Sequence, residues 1–233
     1  TKGPYVPCNG DIRAGEFNAN GFDVFAAVAQ QDLTNTSRLS RYNMTELSDW
    51  YPFYQSIAAC NIDLVRVPGV KALSETEVKQ YLAELRFVRA FTYFYISRIY
   101  GDVPLYTEAY DQRPLPRSPM KDVLQFCLSE MDAIKDDLPW QYDEPSKWGV
   151  RAARGAVYAL MANVNMWAAG FDKANQQQYW KDAAAAVLAL RNSKAFDLLQ
   201  IEDFRKIFKG RTKESLFEFS VNANYGTTTR YVS

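Results

Sequence analysis

The sequence contains no histidine. That absence excludes Ser-His-Asp triads, Cys-His dyads, imidazole acid–base chemistry and histidine metal ligands. Cysteine is scarce as well. Cys8, Cys60 and Cys127 lie far apart and form no CxxC pair, so neither a zinc site nor a redox dithiol is supported. Cys60 and Cys127 fall on apolar helical faces, where a thiol serves as a small hydrophobic group. Neither sign of charge is in excess. Lys+Arg and Asp+Glu are both 27, so the basic surplus of a nucleic-acid binder is lacking, and so is a polybasic patch for a membrane surface. No apolar run approaches the roughly 18–20 residues of a membrane span. Thr1-Lys2-Gly3-Pro4 does not open a secretory leader, so the chain reads as mature or trimmed and no compartment is legible from a signal. Carboxylate-only catalysis survives these exclusions, but no recognisable nucleophile motif accompanies it. We assign no catalytic residue, no metal ligand and no cofactor.

What is present is a helical pattern rich in aromatic residues, 15% of the chain, which either fill a core or offer stacking surfaces. Residues 1–21 are rich in Gly, Pro and Asn and read as an irregular lead-in. A short helix fits 22–33, and 34–45 is a polar loop. From 46 to 66, Leu47, Trp50, Tyr54, Ile57, Ala58, Asn61, Leu64 and Val65 recur at helical spacing, and Pro68-Gly69 ends the run. Ser74 and Glu77 form a capping box. The helix it opens carries Val78, Tyr81, Leu82, Leu85, Val88, Thr92, Tyr95, Ile96 and Ile99 on one stripe, and Gly101 and Pro104 stop it. Ser118-Pro119 starts another helix with Pro at its first position. Its stripe is Leu124, Cys127, Leu128, Met131, Ile134 and Leu138, and Pro139 ends it. A further helix spans about 149–169, with Ala152, Gly155, Ala156, Ala159 and Ala162 allowing close approach and Gly170 ending it. The next spans about 176–192, with Trp180, Ala183, Ala184, Val187 and Leu188 inward.

Successive helical hairpins of this kind stack sideways into an α-solenoid of the tetratricopeptide type. The expected fold is therefore mainly all-α. Its parts are an irregular segment over 1–45, a helical region over 46–200 and the beginning of a further subdomain over 201–233. Residues 214–220 alternate and read as a strand with no partner downstream, which predicts that the fold continues past the end of this sequence.

Residues 84–105, ELRFVRAFTYFYISRIYGDVPL, resemble the hallmark segment of the SusD/RagB family of outer-membrane nutrient-binding proteins. The pattern E-x-R-F-x-R-A-x-x-Y-F…Y-G-D-V-P-L is carried by Glu84, Arg86, Phe87, Arg89, Ala90, Tyr93, Phe94 and Tyr100 through Leu105. Flanking stretches agree. Trp50, Tyr54, Ile57 and Asn61 are similar to the family's W…Y..I..N helix. Arg117-Ser118-Pro119 resembles its next helix start, and Asp137-Leu138-Pro139 that helix's end. Ala152 through Leu160 resemble the Ala-rich helix, and Trp180 and Ala183 the W-x-x-A that follows. The residue types in the hallmark point to scaffold. Glu84, Arg86 and Arg89 suit charge-assisted pairs, and Phe87, Tyr93 and Phe94 suit packing. Gly101 permits a left-handed cap.

The resemblance implies a non-catalytic lipoprotein on the extracellular face of the outer membrane. It implies an oligosaccharide ligand and a SusC-type TonB-dependent transporter as partner. The membrane is engaged only through a lipid anchor that this chain lacks, since Cys8 follows no apolar run. Capture of a peptide, a glycoside hydrolase with paired carboxylates, and a helical-repeat scaffold for protein partners are the competing readings. The family holds its ligand in loops. The candidate here is the loop with Arg38, Arg41, Tyr42 and Asn43, one aromatic face among hydrogen-bonding side chains. The rival is the 139–148 loop with Trp140, Tyr142 and Trp148. Ordinary surface packing is the simpler account of each loop, and more so of the second.

Overall fold

A computed structural model describes residues 49–219. The lead-in, the helix expected at 22–33 and the loop bearing Arg38, Arg41, Tyr42 and Asn43 lie outside the described residues. Phe53–Ser220 forms one compact unit, and it is helical. Helix α1 is Tyr51–Arg66, extended by a 3-10 turn over Val67–Gly69. Helix α2 is Glu75–Tyr100, α3 is Met120–Ile134, α4 is Arg154–Phe171 and α5 is Gln176–Ser193. A 3-10 segment, Ile201–Lys209, follows.

From α2 onward each helix packs on the next. Cross-links fix their directions. Lys79 near the start of α2 pairs with Asp137 beyond the end of α3, whereas the far end of α2 meets the start of α3. Lys121 at the start of α3 pairs with Asp172 at the end of α4. The helices are thus antiparallel neighbours, two hairpins in the tetratricopeptide manner. α1 meets α2 through rings, with Phe53 against Tyr95 at 5.6 Å and Tyr54 edge-on to Tyr93 at 6.4 Å. No helix among the described residues is long and apolar enough to cross a membrane.

The hallmark's last residues build the corner between α2 and α3. The capping box forms at the start of α2: Glu77 N–H donates to Ser74 Oγ, and Ser74 N–H to Glu77 Oε2 at 2.9 Å. At the other end Gly101 takes φ 71°, a left-handed geometry that favours glycine. Asp102 then accepts the Met120 N–H at 2.8 Å, capping α3, whose own N-cap Pro119 offers no side-chain acceptor. Val103 and Ser118 exchange both backbone bonds in an isolated antiparallel bridge. The Pro104 carbonyl accepts Tyr54 O–H at 2.6 Å, tying α1 to the same corner. One short motif thus ends a helix, starts another and anchors a third.

Most of the α3 stripe is buried as the periodicity predicts, with Leu124, Cys127, Met131, Ile134 and Leu138 inside and Leu128 half-buried, although the helix ends at Ile134 before a turn leads to Pro139. The stripe predicted for α2 is displaced. Its core face is Ala83, Phe87, Ala90, Tyr93, Phe94 and Ile96, while Val88 is exposed. α2 packs against α1, α3 and the chain after α5, so burial spreads round it and one stripe does not describe it. In α1, Ile57, Cys60 and Asn61 are buried, and Ala58 and Val65 face outward.

α4 begins at Arg154, about a turn later than expected, after Arg154 and Gly155 donate their N–H groups to the Pro139 and Trp140 carbonyls. It runs through Gly170 to Phe171 rather than stopping at the glycine. α5 buries Ala183 and Ala186, so Trp180, Val187 and Leu188, expected inward, lie on its exposed side. Close approach does occur at Gly155, where an added Cβ would come 2.2 Å from the Phe196 ring.

Residues 214–219 do not form the expected strand. Their alternation serves a helix instead. Phe217 packs edge-on to Phe87 at 4.9 Å and against Phe91, and Phe219 also meets Phe91. Glu218 between them donates its N–H to the Gly149 carbonyl, and its carboxylate accepts the Arg211 N–H.

Candidate functional site

Of the hallmark charges, Arg89 is buried and paired. Arg89 donates through Nε to Glu130 at 3.1 Å, with Nη2 on the same oxygen, and through Nη1 to Asn61 Oδ1 at 2.7 Å. Nη1 also reaches the Thr107 carbonyl, and the guanidinium lies over the Phe126 ring. Asn61, the one polar residue on the predicted α1 face, donates onward to the Tyr106 and Glu108 carbonyls. Tyr93 O–H donates to the Tyr106 carbonyl and accepts the Tyr106 N–H, each at 2.8 Å. Burial pushes the Tyr93 phenol well above its ordinary value, so it stays a neutral hydrogen-bonding group. These contacts fasten the first part of the 101–119 connection to α1 and α2. They are scaffold, as the residue types suggested.

A second polar node lies at Glu84. Its Oε2 accepts Arg151 Nε at 3.1 Å and Nη2 at 2.6 Å, while Oε1 accepts Gln80 and the Tyr142 hydroxyl. Tyr142, one of the candidate ligand residues, is buried at 9% exposure. Its hydroxyl lies 2.6 Å from Glu84 and 2.9 Å from the Ala152 carbonyl and accepts from Gln80. Arg151 and Lys147 sit over its ring. Burial, then the Glu84 carboxylate, raise its pKa. Every polar atom of this side chain is thereby engaged by the protein, and Trp148 Nε1 donates to the Tyr142 carbonyl.

Trp140 is half-buried and faces elsewhere. Its ring stacks on Tyr158 of α4 at 5.2 Å and 16°, and the Arg154 guanidinium caps it at 5.3 Å. The structure therefore separates Trp140 from Tyr142, and Arg38, Arg41, Tyr42 and Asn43 lie outside the described residues. No cluster of His, Cys, Asp and Glu among the described residues is placed to hold a metal.

Tyr158 borders an open groove of about 860 Å³ between α3 and α5, floored by α4. Gln125 and Ser129 of α3 face Gln178, Tyr179 and Asp182 of α5 across it, and Asn165 lies beneath. Neither wall was recognisable as part of a site in the sequence. The signal available was a polar row at helical spacing on each helix, which is also what any solvated face shows.

A sequence profile described as SusD-like, starch-binding associating with outer membrane, matches residues 13–166. The chain belongs to the SusD-like family. SusD-like protein P38 of Formosa agariphila is 30% identical over 168 residues, 69% of this chain and 31% of that protein. A solved SusD homolog from Bacteroides thetaiotaomicron superposes with a TM-score of 0.89 at 34% identity, over 97% of this chain and 50% of that one. A SusD-like carbohydrate binding protein of Bacteroides fragilis aligns at 25% identity with a TM-score of 0.53, over 64% of this chain and 28% of its own. This SusD-like chain thus spans about a third of that Formosa relative and half of the Bacteroides thetaiotaomicron structure. In this chain the hallmark segment is a structural junction: Arg89, Glu84 and Asp102 each hold a different neighbour in place. Sequence reasoning found these three residues and missed their partners Glu130 and Arg151.

Proposed function

We propose that this SusD-like chain is the helical part of a non-catalytic surface glycan-binding protein, one that passes oligosaccharides to a SusC-type TonB-dependent transporter. The observation that carries this reading is the match of a starch-binding, outer-membrane-associated family over residues 13–166. In this reading the protein sits on the extracellular face, held by a lipid anchor on the full-length protein. The helical region over 46–200 is the scaffold, and residues 201–233 begin a subdomain that shares in holding the ligand. The ligand loop is the one with Arg38, Arg41, Tyr42 and Asn43: a phenol ring stacks on a sugar face while the amide and guanidinium groups bind hydroxyls. Most of the apolar face of α2, α3 and α4 is packed inside, which leaves binding to loops and surface grooves.

The test is calorimetric titration of the full-length protein with maltoheptaose, laminarihexaose and cellohexaose, beside an assay for reducing ends. Binding without release of reducing ends is expected. Sustained release that tracks the purified protein would show an enzyme instead. Co-purification with the transporter from detergent-solubilised outer membranes tests the partnership, and its absence under conditions that preserve other outer-membrane complexes would remove the delivery role.

A further inference from the structure

We propose that the groove between α3, α4 and α5 is an additional binding surface for neutral oligosaccharides, away from the 38–43 loop. The proposal rests on the glycan reading above and adds a place and a ligand chemistry to it. The volume of about 860 Å³ is that of an ordinary small-ligand site. Three features select the ligand.

The first is an unused polar group on the floor. Asn165 is 3% exposed yet lines the groove. Its Nδ2 donates to the Met161 carbonyl at 2.9 Å, one turn back on α4, and its Oδ1 accepts no hydrogen bond among the described residues. That oxygen is not sealed off but is an acceptor open to whatever fills the groove. A ligand hydroxyl in the groove would supply the missing donor.

The second is the charge pattern. Lys121 is paired with Asp172 at 3.0 Å, and Lys135 with Asp132 at 2.5 Å. Asp182 is held by the Gln178 amide at 2.8 Å. The cations are satisfied within the protein and one carboxylate remains uncompensated, so an acidic ligand is disfavoured and a neutral one is not. What the groove offers is amide and hydroxyl chemistry from Gln125, Ser129, Asn175 and Gln178, which suits a polyhydroxylated chain.

The third is shape. Beyond Gln178, Tyr179 and Asp182 the α5 wall continues with Ala185, Ala186 and Ala189, which keeps that stretch of the groove open, and the Tyr158 and Tyr179 rings border it. Tyr158 is held in place by the Trp140 stack on one side. Pre-positioned rings beside hydrogen-bonding groups are what a sugar chain uses, its apolar faces against the rings and its hydroxyls toward the amides.

The experiment uses the full-length protein and the same three neutral hexa- and heptasaccharides, with an oligogalacturonide and an uncharged polar peptide as contrasts. Gln125→Trp and Ala185→Trp, at exposed positions on opposite walls, fill the groove, and thermal melting confirms that they fold. Tyr179→Ala removes one ring. The expected result is a binding event that both filling variants abolish, that Tyr179→Ala weakens by about two- to tenfold, and that the oligogalacturonide does not produce. Neutral-oligosaccharide binding left unchanged by both filling variants overturns the groove while leaving the glycan function standing. Failure of every oligosaccharide to bind overturns the glycan function and the groove with it. Peptide binding that the filling variants abolish, with no sugar effect, overturns the assignment of ligand.

Discussion

Arg89 and Glu130 meet across the α2–α3 interface with both side chains less than a tenth exposed, Nε standing 3.1 Å from the carboxylate. Arg86, itself 41% exposed, approaches the other Glu130 oxygen at 3.6 Å, so two arginines of the hallmark segment share one carboxylate. Such a pair adds little net stability over apolar packing, but losing one partner strands a buried charge. Arg89→Ala is therefore expected to cost roughly 3–5 kcal/mol in urea unfolding. Arg89→Met combined with Glu130→Leu should recover only part of that, because Asn61 Oδ1 and the Thr107 carbonyl still lose their donor. An unchanged midpoint in Arg89→Ala would mean the pair is solvated and the burial argument wrong.

Glu84→Ala removes the acceptor shared by Arg151, Gln80 and Tyr142. Arg151 is partly solvated, so the expected loss is smaller, roughly 1–3 kcal/mol. Melting temperatures of both alanine variants should fall, with Arg89→Ala the lower.

Gly155 sits in the first turn of α4, where glycine ordinarily weakens a helix and alanine would strengthen it by about 1 kcal/mol. Here the added methyl would meet the Phe196 ring at 2.2 Å. Overpacking of that kind costs typically about 1–3 kcal/mol, so Gly155→Ala should lower stability. In a Phe196→Ala background the same change should become neutral or stabilising. Stabilisation by Gly155→Ala alone would show that Phe196 moves aside freely.

The order of helices was legible because caps and breakers are local chemistry. Ser74 and Glu77 announced α2, and the apolar period announced α3. What was not legible is how many neighbours each helix has. α2 is flanked by α1, α3 and the chain after α5, so its burial is not a stripe, and α5 buries alanines while its larger residues stay outside. The 214–219 alternation was read as a strand because period two says nothing about what covers it, and a helix surface bearing Phe87 and Phe91 does so here. The charged residues were legible as paired, but Glu130 is 41 positions from Arg89 and Arg151 is 67 from Glu84. The groove has the same character: its walls lie on two helices that the sequence shows only as separate polar rows.

Cys60 and Cys127 lie inside helices α1 and α3. Burial pushes the Cys60 thiol up to about 11, and burial together with Glu130 pushes Cys127 higher still. A raised thiol pKa means a negligible thiolate fraction at pH 8, and the thiolate is the nucleophile. Alkylation with iodoacetamide at pH 8 should leave both unmodified in the native protein and modify both in denaturant, as peptide mapping would show. Native labelling at either position would place that helix face in solvent.

The two candidate loops make opposite predictions. Trp140 stacks on Tyr158 and lies under the Arg154 guanidinium, so Trp140→Ala removes a stack and a cation–π contact that hold the start of α4. Its melting temperature should fall, and direct contact of Trp140 with the ligand is not expected. Tyr42 stands in our proposal as the stacking ring of the 38–43 loop. A single stacked ring contributes about 0.5–1.5 kcal/mol beyond its area burial, so Tyr42→Ala should weaken oligosaccharide binding several-fold with stability unchanged, and Asn43→Ala should weaken it by loss of a hydroxyl contact. The measurement is a titration of the full-length protein with its tightest-binding oligosaccharide, paired with thermal melts of each variant in the Gln125→Trp background so that the groove does not contribute. Unchanged affinity in both Tyr42→Ala and Asn43→Ala would remove the loop from the site. A loss of affinity in Trp140→Ala at unchanged stability would move the ligand to the 139–148 segment instead.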